Sequence, residues 1–98
     1  MTPDTLSLGA ELTIVKAAAL RETLLARLAT APRELRLDLG EVSEFDSAGV
    51  QLLLAARRSL AEAGGRLVVG AASATVRQGL EVFGLTGLLD APAAKEPA

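Results

Sequence analysis

The residues with the clearest chemical potential stand together between Glu44 and Val50, in the run E-F-D-S-A-G-V. A strand-like pattern ends there and a helical pattern begins, with the carboxylate of Asp46 beside the hydroxyl of Ser47. A helix start presents unpaired N–H groups and the positive end of the helix dipole, so a hydroxyl there is a good seat for a phosphoryl group. Plain helix capping, worth about 1 kcal/mol, explains the same pair without regulation. From these residues alone, capping is the better interpretation.

A serine at a strand-to-helix corner also describes a hydrolase nucleophile. Such a serine needs a base to take its proton, and the chain contains no histidine. The run also lacks the first glycine of a nucleophile elbow. The glycines elsewhere form neither a phosphate-binding loop nor a dinucleotide-binding motif. We therefore expect no enzymatic activity and no cofactor.

Four acidic residues lie close in sequence around the same corner: Asp38, Glu41, Glu44 and Asp46. Their spacing does not establish that they converge on a metal ion, and a solvated acidic loop is the preferred interpretation. Cysteine is absent, which removes disulfides and thiolate zinc sites. No metal site is predicted.

Charge and hydropathy limit the partners. Ten Lys and Arg residues against twelve Asp and Glu give a net charge of -2 without a basic block, so nucleic acid is not an expected partner. The first residues do not resemble a signal peptide. The apolar runs are far shorter than the roughly 20 residues that cross a bilayer. We expect a cytoplasmic protein without membrane insertion.

The pattern along the chain predicts one domain over residues 1–90, followed by a disordered tail over residues 91–98 that has two prolines and no large apolar side chain. Alternation around Leu6–Leu8 and Leu12–Ile14 predicts an N-terminal hairpin. The later elements are a helix from Ala17 that ends before Pro32, a strand over Leu35–Leu39, a helix over Ser47–Ala63, a strand over Leu67–Val69 and a third helix capped by Ser73.

Two details concern the end of the domain. In the third helix, Val76, Leu80 and Phe83 are expected to meet the core. Residues Leu85–Asp90 fit either a short strand or a helical turn. Together the elements predict an α/β fold, with a mixed sheet of four or five strands covered by helices.

The stretch over residues 35–54, L-R-L-D-L-G-E-V-S-E-F-D-S-A-G-V-Q-L-L-L, resembles the signature of STAS domains, the family of bacterial anti-sigma factor antagonists. Family members share a strand that ends in a D-L-x-x-V-type turn, and then D-S/T-x-G-L/V at the start of a helix. The likeness extends to Gly9–Ile14 and Gly64–Leu85. One departure is Phe45, which stands where a smaller aliphatic residue is frequent.

The resemblance implies a stand-alone STAS-like fold and a role for the corner. In the family, the hydroxyl matching Ser47 is commonly phosphorylated by a serine kinase that is also the binding partner, and the acid matching Asp46 assists recognition. The chain would then be a substrate and a binding module. The predicted partner surface consists of Asp46, Ser47, Ala48, Gly49, Gln51, Leu54 and Arg58.

Leu54 and Arg58 join this surface because the helical period places them on one side with Gln51. A scattered surface leucine explains Leu54 equally well.

Two functions remain open from the sequence. The first is a signalling regulator that binds a serine-kinase-type anti-sigma factor or a related signalling protein. The alternative is a cytoplasmic accessory subunit of a phospholipid-transport ABC system, which would dock constitutively on the ATPase. The serine at position 47 and the Gln51–Leu54 continuation favour the first.

Overall fold

The computed structural model describes residues 4–89. The elements, in chain order, are β1 (Asp4–Ser7), β2 (Glu11–Leu12), α1 (Ala17–Leu28), β3 (Glu34–Leu39), β4 (Glu44–Phe45), α2 (Ser47–Glu62), β5 (Arg66–Ala72), α3 (Ala74–Val82) and a 3-10 helix (Thr86–Leu89). The predicted tail over residues 91–98 lies outside the described residues, as does Asp90.

The larger sheet has the strand order β1-β3-β5, and both pairings are parallel. Its central strand, β3, alternates between buried and half-buried residues. Leu35, Leu37 and Leu39 are 0% exposed, so the three leucines do share the buried face as their spacing predicts. The parallel relation predicted between β3 and β5 is confirmed.

The predicted N-terminal hairpin is wrong. β1 pairs with β3, whereas β2 pairs with β4 in a separate two-stranded parallel sheet. Gly9, with φ of 79°, lies between β1 and β2, and the two strands join different sheets. Alternation identifies extended backbone but not its partner, and here both partners come from later in the chain. Without a hairpin, the described pairings are all parallel rather than mixed.

The three predicted helices are present, and α1 and α2 lie against each other. α2 also contacts β5. Leu24 of α1 and Leu53 and Leu60 of α2 belong to the buried core, together with the leucines of β3. The helices therefore complete one core over the parallel sheet.

The C-terminal part corrects one prediction and decides another. Val76 and Leu80 are 0% exposed, but Phe83 is 47% exposed because it follows the last turn of α3 as its C-cap. The segment left open between a strand and a helical turn forms the 3-10 helix, which buries Leu88.

Candidate functional site

The corner between β4 and α2 is organised by Asp46. This residue is the N-cap of α2, with an extended backbone at φ of -132° and ψ of -172°. Its Oδ1 accepts hydrogen bonds from the N–H groups of Ala48 at 2.9 Å and Gly49 at 3.3 Å. Capping, which the sequence assigned to either Asp46 or Ser47, is thus carried out by the carboxylate alone.

The same carboxylate reaches the loop that precedes α1. Its Oδ2 accepts a hydrogen bond from the Ile14 N–H at 3.1 Å. The Asp46 N–H in turn donates to the Leu12 carbonyl oxygen at 3.2 Å. Asp46 therefore fixes the start of α2 to the segment between β2 and α1, two parts of the chain that are far apart in sequence.

Ser47 is the first residue of α2 and is exposed. Its hydroxyl has no hydrogen-bond partner among residues 4–89, because Asp46 already satisfies the nearest helix N–H groups. The side chain is available to a molecule that approaches the corner and does not contribute to the cap. This geometry suits a modifiable hydroxyl.

Gly49 is required at this corner by close packing. A Cβ at position 49 would overlap the Leu12 carbonyl oxygen and lie 3.0 Å from ring atoms of Phe45. Gly49 is buried and lets β2 and β4 lie close to α2. Its place in the partner surface stays a prediction.

An open depression of about 660 Å³ lies beside Ser47, between the first turns of α1 and α2. Its walls are largely apolar, and Arg21 and Asp46 are the charged residues that line it. Among the described residues, the depression is lined by Ile14, Ala17, Ala18, Arg21, Asp46, Ser47, Ala48, Gln51 and Leu52. A partner that covered the Ser47 hydroxyl would also meet this depression.

The other predicted surface residues lie along α2. Gln51 and Arg58 are exposed and Leu54 is half-buried, and all three line a second shallow depression. The structure thus places them on one side of the helix, continuous with Ser47 through Gln51, which lines both depressions. Their contact with a partner stays a prediction.

The acidic residues do not form a metal site in the described part of the chain, where no group of three or more candidate ligands converges. Asp38 instead accepts a hydrogen bond from the Gly40 N–H at 2.9 Å. Asp46 is occupied by the three N–H groups described above. Within residues 4–89, no helix is both long and apolar enough to cross a membrane.

Sequence reasoning missed the contribution of the β2–α1 loop. Ile14 and Val15 are 70% and 76% exposed, although their β-branched side chains resemble the end of a strand. Ile14 and Arg21 line the depression beside Ser47. Two consecutive apolar residues one position before the predicted helix were the available signal, but only the fold places Ile14 near Ser47.

Comparisons with known proteins agree with this architecture. The family model described as Mlab, STAS domain matches residues 2–90. The structure of the anti-sigma factor antagonist SpoIIAA in its unphosphorylated form aligns with a TM-score of 0.73 and 26% identity, over 90% of this chain and 79% of that one. An anti-sigma factor antagonist from Mycobacterium paratuberculosis aligns with a TM-score of 0.75 and 29% identity, over 85% of this chain and 70% of that one. Among curated proteins, none matches significantly.

The chain belongs to the STAS domain family. The STAS-like α/β fold predicted from the residues around Ser47 is confirmed. Both similar structures are described as antagonists of anti-sigma factors, which is a regulatory rather than a catalytic description. The likeness supports an anti-sigma factor antagonist-like regulatory role.

Proposed function

We propose that this chain is a cytoplasmic regulatory binding module of the anti-sigma factor antagonist type, and that phosphorylation of Ser47 switches its partner binding. The partner would be a serine-kinase-type anti-sigma factor or a related signalling protein. The partner surface would include Asp46, Ser47, Ala48, Gly49, Gln51, Leu54 and Arg58, together with the depression beside Ser47.

The main support for this proposal is that Asp46 and Ser47 have different roles at the corner. Asp46 supplies the helix cap, and Ser47 keeps an exposed hydroxyl with no hydrogen-bond partner in the described chain. In a serine that caps a helix, the hydroxyl oxygen is held by backbone N–H groups and is less open to an approaching kinase. Here the fold does not depend on the hydroxyl, so the hydroxyl is available for regulation.

The charge of a phosphoryl group explains how such a switch would act. Phosphorylation adds about -1.5 to -2 charge at neutral pH. The start of α2 tolerates negative charge, because the helix dipole is positive there. A partner surface closely packed on Ser47, or acidic opposite it, would be separated by the added bulk and charge. Partner binding would fall while the fold persists.

The test uses the wild type, Ser47→Ala, Ser47→Asp and a control, Thr86→Asp. Thr86 is an exposed hydroxyl residue that begins the 3-10 helix and lines neither depression. Proteins captured from native lysate by the wild type are identified by mass spectrometry, and the purified partner is then titrated with each variant. We expect Ser47→Asp to weaken binding at least about tenfold, and Thr86→Asp to bind like the wild type.

Labelling with radioactive ATP completes the test. A kinase partner should phosphorylate the wild type and Thr86→Asp but not Ser47→Ala. The alternative function, constitutive docking on a transporter ATPase, gives a different pattern: capture of that ATPase, equal affinity for the wild type and Ser47→Asp, and no labelling. That pattern would refute the proposed switch.

A further inference from the structure

Arg21 of α1 and Ser47 of α2 face the same depression, although they are 26 positions apart in sequence. We propose that Arg21 is the intramolecular receptor for a phosphoryl group on Ser47, and that their pairing ties α1 to α2 across the depression. The inference rests on the proposed function insofar as Ser47 must become phosphorylated. It adds a residue and a mechanism that the family motif does not contain.

At the start of α2, most of the N–H groups near the Ser47 hydroxyl are already hydrogen-bonded, and that of Ser47 itself is the one without a partner among residues 4–89. The N–H groups of Ala48 and Gly49 already donate to Asp46 Oδ1. The Ile14 N–H, on the other side of the corner, donates to Asp46 Oδ2. A single N–H group does not balance the doubly charged phosphoryl group beside the Asp46 carboxylate, so a side-chain cation would stabilise it further.

Arg21 is suited to that need. Its side chain is exposed and forms no ion pair with another described residue. By contrast, Arg36 and Arg66 both pair with Glu34. A guanidinium group binds phosphate through two parallel N–H donors, which makes it a better receptor than a point charge. Within residues 4–89, the only other charged residue lining the depression is Asp46, which carries the same sign of charge as a phosphoryl group.

The surroundings favour the pair. Ile14, Ala17, Ala18 and Leu52 line the same depression, and their apolar surface can pack against the methylene groups of the Arg21 side chain. Pairing would draw the long Arg21 side chain over this apolar surface. The partner would then lose access to position 47 and to the apolar depression. A single phosphorylation would thus block both parts of the surface.

The test places phosphoserine at position 47 by genetic encoding, so that no cellular kinase is required. The second pKa of the phosphoserine is measured by ³¹P NMR titration in the wild-type background, in Arg21→Gln and in Arg57→Gln. Arg57 is an exposed arginine of α2 that does not line this depression, which makes it the matched control. We expect a lower phosphate pKa with Arg21 present, and a rise towards the value of a free phosphoserine peptide only in Arg21→Gln.

A second measurement reports the tie between the helices. Phosphorylated wild-type protein should melt roughly 2–4 °C above phosphorylated Arg21→Gln, while the two unphosphorylated proteins should melt together. Equal phosphate pKa values in the wild type and Arg21→Gln would overturn the inference. An equal rise in Arg57→Gln would also overturn it, because the effect would then be one of net charge.

The two proposals fail separately. If the pKa depends on Arg21 but the partner binds phosphorylated and unphosphorylated protein equally, the intramolecular receptor stands and the partner switch is refuted. If phosphorylation releases the partner but the phosphoserine pKa is the same with and without Arg21, the partner switch stands and the intramolecular receptor is refuted.

Discussion

Asp46 and Ile14 are joined by a 3.1 Å hydrogen bond from the Ile14 N–H to the Asp46 carboxylate, across 32 positions of sequence. The other oxygen of that carboxylate caps α2. One side chain thus sets both the direction of α2 and the position of the loop before α1. Because Ser47 follows Asp46 and Ile14 lines the same depression, the shape of the candidate surface depends on a residue that is itself only partly exposed.

Replacing Asp46 should therefore cost stability through two separate bonds. We expect Asp46→Ala to lower the free energy of unfolding by about 2 kcal/mol, because it removes a cap and leaves the Ile14 N–H without its partner. Asp46→Asn should lose about half as much, because its amide oxygen can still cap α2 while its NH₂ group cannot accept from Ile14. Chemical denaturation measures both.

Asp38→Ala is the control for this series, since the Asp38 side chain accepts one N–H within its own turn. It should cost clearly less than Asp46→Ala. Equal losses of unfolding free energy for Asp46→Asn and Asp46→Ala would mean that the carboxylate acts through its charge and not through the hydrogen bonds to its two oxygens.

Ser47→Asp should leave the fold intact. The side chain is exposed, the cap belongs to Asp46, and an acidic residue in the first turn interacts favourably with the helix dipole. We expect a melting temperature within about 3 °C of the wild type by circular dichroism. Ser59→Asp, nearer the negative end of the same helix, is the comparison and should be at least as destabilising. Unfolding of Ser47→Asp would show that the hydroxyl supports the corner after all.

Much of this architecture could be predicted from local sequence. The leucines of β3 alternate without interruption, so the buried face follows from the pleat of a strand. The cap of α3 also follows locally, since the Ser73 hydroxyl oxygen accepts a hydrogen bond from the Val76 N–H at 3.2 Å. Such features depend on residues within a few positions of one another.

The errors came from relations between distant segments. Period-two alternation described β1 and β2 correctly as strands, but their partners, β3 and β4, lie more than 25 residues later. The exposure of Ile14 and the place of Arg21 beside Ser47 depend on the same long-range pairing. The family motif identified Ser47 and Asp46, and only the three-dimensional arrangement distinguished the cap from the exposed hydroxyl.

A substitution in the exposed loop before α1 should change partner binding without changing stability. Ile14 is 70% exposed and lines the depression beside Ser47. We expect Ile14→Ser to weaken the captured partner roughly tenfold, as removal of an apolar contact at the centre of an interface commonly does. Its backbone N–H, which donates to Asp46, is unchanged by the substitution, so the melting temperature should stay within about 3 °C.

Val82→Ser is the matched control for the loop, because Val82 is another β-branched residue, 81% exposed, at the end of α3. It should retain wild-type affinity. If Val82→Ser weakened the partner and Ile14→Ser did not, the binding surface would lie at the other helix and not at the Ser47 corner.

Phe45 and Gly79 form a packed pair that explains how this chain accommodates an aromatic ring at the position where STAS domains often carry a smaller residue. The ring is confined between Gly49 of α2 and Gly79 of α3: a Cβ added to Gly79 would lie 2.7 Å from Phe45 Cε2, and one added to Gly49 would lie 3.0 Å from the opposite edge. The absence of side chains on both helices leaves room for the ring.

Gly79→Ala should therefore destabilise the domain even though alanine is the better helix former. Overpacking costs about 1–3 kcal/mol, against a gain in helix propensity of about 1 kcal/mol, so we expect a net loss of about 1 kcal/mol. Phe45→Leu alone should also be destabilising, because it removes buried ring atoms. Combined, the two changes should cost at least about 1 kcal/mol less than their sum, since leucine leaves space for the new methyl group.

Equilibrium denaturation of the four proteins in this double-mutant cycle measures the coupling free energy. Gly87→Ala is the control substitution, because a Cβ there would meet nothing within 4 Å, and it should leave stability essentially unchanged. Strictly additive losses for Phe45→Leu and Gly79→Ala would mean that α3 moves away from the ring at little cost. In that case, Gly79 would not be required for the packing of the Phe45 ring.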